Sequence, residues 1–365
     1  MTQRKRLDYI DLLEFIAIFI VLINHDTTYQ YDFSASPAVI IYFNYYFRSL
    51  HAAAVPLFFF ANGYLLFNRE FDLKKHVLRT IRLVVLTVIW GLINVLLLML
   101  IDQHFLSLKE ILVTVWTWKQ GWLNHFWFMG VLICFYLLFP VLKSAFDFNK
   151  SAFRFFVIVC ALMTFGNKLI CAFGTIAAHA LIGYPEQILD NVFNMFNPFR
   201  GVYIWFAFVY FCVGGLAHGF ISTIEKHRKQ MNLSAIVLIP VSMLCLTGWG
   251  IYLTRLNGVL WDIVWGGQDS VFALIIVAAV FVLCLNYRPK DSRLKTLVYL
   301  VSCNTLGIYY LHELFIHMTL RHVRNVVWMQ NIFGSIVCSA GILCLSLLTA
   351  LVIKKIPGVK KLLIS

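Results

Sequence analysis

The stretch LLEFIAIFIVLINHD, residues 12–26, decides how the rest of the chain is read. Nine consecutive apolar residues, Phe15 to Ile23, follow Glu14 and precede Asn24, His25 and Asp26. Extended back to residue 7, it makes a helix of about 20 residues, enough to cross an apolar core about 30 Å thick. A carboxylate and an imidazole then stand near its two ends. Ionisable groups in such places are costly and usually face a bundle interior.

The composition supports a membrane helix. The 365 residues are 61% hydrophobic and 13% charged, with a mean hydropathy of +0.81. An ordinary soluble domain is about 45–50% apolar and about 25% charged. Apolar runs recur at roughly 7–26, 50–67, 77–101, 126–142, 153–173, 199–220, 233–253, 271–287, 297–318 and 332–353. No ten-residue alternation of a barrel strand is present, so the spans are helices. The expected fold is all-α, a polytopic membrane protein of about ten transmembrane helices. It forms a single membrane domain over residues 1–365, with no soluble domain. MTQRKR leads into the first run without a small-residue cleavage site, so no cleaved signal peptide is expected.

A net charge of +13 raises the question of nucleic acid. Placing the charges answers it. With the N-terminus inside, alternate segments hold Arg4–Arg6, Arg69–Arg82, Lys143–Arg154, Lys226–Lys229, Arg288–Lys295 and Lys354–Lys361. Together they carry 22 of the 30 Lys and Arg. This is the positive-inside pattern; it predicts cytoplasmic termini and a multi-pass protein of the cell membrane, and no nucleic-acid partner. All nine Cys fall within predicted spans and no CxxC occurs, so buried free thiols are expected rather than disulfides or a zinc site. No metal and no resident cofactor is expected.

Several residues bear chemistry. His25 lies about 19 residues beyond Arg6, roughly 28 Å along the helix and close to the outer edge of the core. It reads either as an interfacial histidine or as a general base for a hydroxyl. Glu14 precedes it by eleven residues, which gives the same helical face at a depth roughly 16 Å different. The two line one path and are the candidate catalytic residues. Arg79 and Arg82, three apart in LRTIRLVVL, read either as topological anchors or as a cytoplasmic phosphate site for a nucleotide-bearing donor. His125, Trp127 and Tyr136 in HFWFMGVLICFYLLFP, with His312 in SCNTLGIYYLHELFIH, are the candidate substrate-binding groups. His312 and Glu313 are adjacent and point about 100° apart, so only one of them is expected to face the cavity of His25. The Trp-rich outer segment VWTWKQGWLNHFWF (115–128) suits an interfacial belt or stacking on sugars.

With these residues in view, a resemblance emerges. YIDLLEFIAIFIVLINH resembles the first helix of the acyltransferase-3 family of membrane acyltransferases, with Asp11, Ala17 and His25 matching. VPLFFFANGYLLF (55–67) resembles its second-helix pattern through Phe58, Phe59, Gly63 and Tyr64, with Asn62 where Ser is usual. HFWFMGVLICFYLLFP is similar to its Trp-Phe…Tyr…Pro segment, and NTLGIYYLH (304–312) to its late Thr-Leu-Gly-Ile-Tyr…His motif. The matches run in the family's order from about residue 7 to residue 318. One position departs: Glu14 stands where the family's first-helix Arg is usual.

The resemblance implies transfer of an acyl group, usually acetyl, from cytoplasmic acyl-CoA to a hydroxyl of a cell-surface or exported glycan. His25 would deprotonate the acceptor or carry the acyl group itself. Acyl-CoA, a glycan or lipid-linked sugar, and membrane lipid are then the expected partners. The alternative from the residues alone is a transporter or flippase for a glycan or lipid-linked sugar, since polar groups on buried spans also serve permeation. No internal repeat of the transporter kind is evident.

Overall fold

The computed structural model describes residues 6–25, 29–117, 121–184, 192–193, 205–290, 292–323, 326–357 and 363. Asp26, Arg4 and Lys5, part of the Trp-rich segment (118–120), much of the outer segment at 174–198 and the last two lysines lie outside them. Among the described residues there are helices and turns and no strands. The helices are α1 (Asp8–His25), α2 (Val39–Arg48), α3 (Ala54–Phe67), α4 (Leu73–Asp102), α5 (Leu108–Thr117), α6 (Trp127–Phe148), α7 (Lys150–Ala161), α8 (Asn167–Ile182), α9 (Trp205–Ala217), α10 (Ile221–Lys226), α11 (Arg228–Asn257), α12 (Val271–Cys284), α13 (Arg293–Val323) and α14 (Ile332–Lys355). Each predicted apolar run contains a helix, and seven helical stretches are long and apolar enough to cross a membrane. The protein is therefore an all-α polytopic membrane protein. Three predicted runs fall outside that group of seven: α1, which carries three carboxylates in its first half (Asp8, Asp11, Glu14), α12, which has only 14 residues, and α13.

The helix starts follow local chemistry. The side chains of Asp72, Asn149, Ser270 and Asn331 each accept a backbone N–H of the first turn of α4, α7, α12 and α14. These caps lie outside the apolar runs, which is why α4 begins four residues before its predicted start.

The chain divides into two compact units. The first comprises residues 1–20, 30–69 and 145–289. Its centre is the crossing of α3 and α9. A Cβ at Gly63 would collide with the backbone carbonyl of Phe211, and one at Gly214 with that of Phe60. The two glycines thus let the helix backbones touch, the usual way membrane helices gain packing where water supplies no drive. Phe67 fills the space beside Gly215 and packs against Phe146, Phe153 and Phe211. Tyr9 and Tyr64 share a hydrogen bond of 2.7 Å, with Phe281 beside both rings. The motif residues Gly63 and Tyr64 therefore have packing roles.

The second unit comprises residues 21–29, 70–144 and 290–365. Here α4 presents one buried stripe, His76, Thr80, Leu83, Thr87, Trp90 and Asn94, at helical spacing. Thr87, Trp90 and Asn94 of this stripe meet α13. Tyr310 stacks on Trp90 at 5.4 Å, its hydroxyl lies 3.1 Å from that of Thr87, and its carbonyl accepts from Asn94 Nδ2 at 3.1 Å. Tyr309, next along, donates its hydroxyl proton to the backbone carbonyl of His125. That carbonyl belongs to a 3₁₀ segment, Gly121–Phe126, leading into α6. α13 is thus fixed in height and rotation one turn below His312 and Glu313.

Candidate functional site

α1 ends at His25, and α13 delivers His312 and Glu313 to it. His25 Nδ1 lies 2.9 Å from His312 Nε2 and 3.3 Å from Glu313 Oε1. His312 Nε2 is 4.0 Å from the same carboxylate oxygen. Both members of the adjacent pair therefore reach His25, which corrects the expectation that only one would. The 100° between them is measured at the backbone. A ring nitrogen seated in the seam between two side chains meets both when each spans half of that angle.

The protons on these rings follow from what each partner can accept. His312 Nδ1 is 2.6 Å from the Tyr309 carbonyl, which has no proton to give, so Nδ1 is the donor. In a singly protonated His312, Nε2 is then the acceptor. The proton between the two rings belongs to His25 Nδ1, shared between His312 Nε2 and the Glu313 carboxylate. The remaining ring nitrogen of His25, Nε2, holds the lone pair. His25 is 27% exposed while His312 is completely buried, so the basic nitrogen lies on the one ring that a reactant can reach. This is the base-and-orienter arrangement of nucleophile activation, with the carboxylate on the far nitrogen.

Around this centre the site is histidine-rich. His125 is buried, its ring 5.4 Å from that of His312, and its Nε2 has no hydrogen-bond partner among the described residues. One turn beyond Glu313, His317 Nδ1 lies 3.6 Å from Asp102 at the end of α4. The polar column therefore continues past the His312–Glu313 pair.

The structure sorts the sequence candidates. His25, His312 and His125 come together. Trp127 opens α6, half-buried against Phe128. Tyr136 stands nine residues further, about 14 Å along α6, where its carbonyl is 2.7 Å from His76 Nε2 and its ring lies against the same imidazole. Arg79 and Arg82 are exposed, outside the buried stripe of α4. Glu14 is half-buried two turns into α1, eleven residues before His25. The carboxylate at His25 is Glu313. The sequence noted it without giving it a role; its signal was a His-Glu pair inside an otherwise apolar run, where two ionisable groups are hard to keep without a partner.

No curated protein and no solved structure matches the chain. The sequence profile of the acyltransferase-3 family, described as an acyltransferase domain, matches residues 7–353. That match takes in His25, both members of the His312–Glu313 pair and the whole of α1 and α13, which carry them. The chain belongs to the acyltransferase-3 family and is a membrane acyltransferase.

Proposed function

We propose that the protein is an O-acyltransferase of the cell membrane that moves an acetyl group from cytoplasmic acetyl-CoA to a hydroxyl of a cell-surface or exported glycan. The observation that carries this reading is the His25–Glu313 contact of 3.3 Å, with His312 holding the same ring nitrogen. As the acceptor oxygen attacks the thioester carbonyl, His25 Nε2 takes its proton. The Glu313 carboxylate stabilises the imidazolium that forms at Nδ1. The C–S bond then breaks, and the CoA sulfur leaves with the proton returned from Nε2. Direct transfer needs donor, base and acceptor together, and that proximity supplies much of the rate.

Support for the donor comes from the exposed Arg79 and Arg82, whose guanidinium groups suit phosphate oxygens at the cytoplasmic mouth. His125 Nε2, buried beside the pair and without a hydrogen-bond partner among the described residues, suits a polar acceptor. The test uses membranes containing the protein and acetyl-CoA labelled in the acetyl group. Label should enter surface glycan, with a matching mass increase of one acetyl per site and release of free CoA. Unchanged glycan mass with acetyl-CoA intact refutes the reading.

A further inference from the structure

We infer that His25, His312 and Glu313 form a site for a zinc-class divalent cation, and that the ion occupying it silences the base. The binding claim stands on geometry alone. Only its inhibitory consequence rests on the function proposed above.

The three donor atoms are 2.9, 3.3 and 4.0 Å apart. A point equidistant from all three lies roughly 2.0 Å from each, and zinc takes imidazole nitrogen at about 2.0–2.1 Å and carboxylate oxygen at about 2.0–2.2 Å. The donors therefore surround a point within reach of zinc, and a tetrahedral shell, whose corners stand about 3.3 Å apart, needs small side-chain turns that spread the 2.9 Å pair and close the 4.0 Å pair, with the fourth corner left for water or a reactant. Two imidazoles and one carboxylate suit a borderline cation and not magnesium or calcium, which prefer all-oxygen shells. The outer shell is also in place. Metal-bound histidine usually gives its other N–H to a carbonyl or carboxylate, and His312 Nδ1 already does so to the Tyr309 carbonyl at 2.6 Å. That bond leaves His312 Nε2 as a lone pair aimed at the site. Seating the ion requires the two imidazoles, now 13° from coplanar and joined through their edges, to turn about their side-chain bonds.

The effect on catalysis follows from the ring. Coordination takes the lone pair of His25 Nδ1. A neutral imidazole with a metal on Nδ1 carries its proton on Nε2. The nitrogen that would accept the acceptor's proton becomes a donor, and the Glu313 carboxylate is withdrawn into the metal shell. Zinc and the attacking hydroxyl thus compete for one imidazole.

The test uses the purified full chain in detergent, freed of metal by a chelator. Zinc titration should show one site per chain. X-ray absorption should show nitrogen and oxygen neighbours with the outer scattering of two imidazoles. His312→Ala and Glu313→Ala should each weaken binding by about 100-fold or more, at least the loss seen when only an outer-shell partner is removed. Cobalt in place of zinc gives a visible spectrum without any variant, which covers the case in which a variant does not fold. A sulfur-to-cobalt band would place the ion on cysteines and overturn the site, as would binding unchanged in folded variants. Acetyl transfer should fall as the site fills and return with chelator; a rise in transfer with zinc overturns the inhibitory role. Transfer activity in a protein that takes up no zinc on titration sinks this proposal and leaves the acyltransferase reading intact. Triad-dependent zinc binding in a protein without transfer activity does the reverse.

Discussion

Glu313→Gln isolates the charge of the carboxylate from its shape. The glutamine oxygen still accepts from His25 Nδ1, so the ring keeps its lone pair on Nε2. What is lost is the attraction between a full negative charge and the imidazolium, 3.3 Å apart. Coulomb's law at that separation gives about 5 kcal/mol at an effective dielectric of 20 and about 1.3 kcal/mol in bulk water. His25 and Glu313 are 27% and 17% exposed, so the site lies between these limits. A loss of about 2–4 kcal/mol is a fall of roughly 30- to 1000-fold in kcat. Because the imidazolium exists only after Nε2 takes the proton, the loss belongs to the transition state, and the KM for acetyl-CoA should hardly move. Glu313→Asp, one methylene shorter, should fall between wild type and the amide. The assay is CoA release with transfer of labelled acetyl in membranes, normalised to folded protein. Turnover of Glu313→Gln within threefold of wild type refutes the role of the charge. A raised KM with unchanged kcat would make Glu313 a substrate contact instead.

Other outcomes are expected from the same geometry. His25→Ala should insert and fold yet lose acetyl transfer by roughly 10²-fold or more, the scale of a general base; near-normal turnover in folded protein removes His25 from the mechanism. Gly63→Ala and Gly214→Ala each drive a methyl into the facing backbone. Each should cost about 1–3 kcal/mol and lower the melting temperature, and since they share one helix crossing, the double variant should cost less than the sum. An unchanged melting temperature in both single variants would show that the crossing is not tight. In a background without the nine native cysteines, Arg228→Cys should label with an impermeant thiol reagent only from the cytoplasmic side, and Lys109→Cys only from outside. Labelling of position 228 from outside overturns the charge-based topology.

The membrane class was legible in the sequence because it depends on local quantities. A run of about 20 apolar residues declares a spanning helix wherever it stands; each predicted run does contain a helix, and seven helical stretches are long and apolar enough to cross a membrane. His25 was legible for a similar reason: its distance along one helix fixes its depth without knowledge of any neighbour. Gly63 and Tyr64 could be picked out as a pattern, but their meaning needed α9, since only the approach of the Phe211 backbone shows why position 63 has no side chain. The limits of local reasoning show most clearly at the carboxylate. Helical periodicity placed Glu14 on the face of His25, and that bearing is right for a single axis. It says nothing of what another helix brings to the same height. Glu313 and His312 reach His25 across 288 and 287 residues of chain, held there by the contacts of Tyr309 and Tyr310 with His125, Trp90, Thr87 and Asn94. The same limit applies to Tyr136 and Arg82, whose surroundings depend on which side of α6 or α4 is covered. Sequence fixes a side chain's bearing about its own helix axis. Only the packing of helices fixes where those bearings cross, and the proton chain from the Tyr309 carbonyl through His312 to His25 exists only at such a crossing.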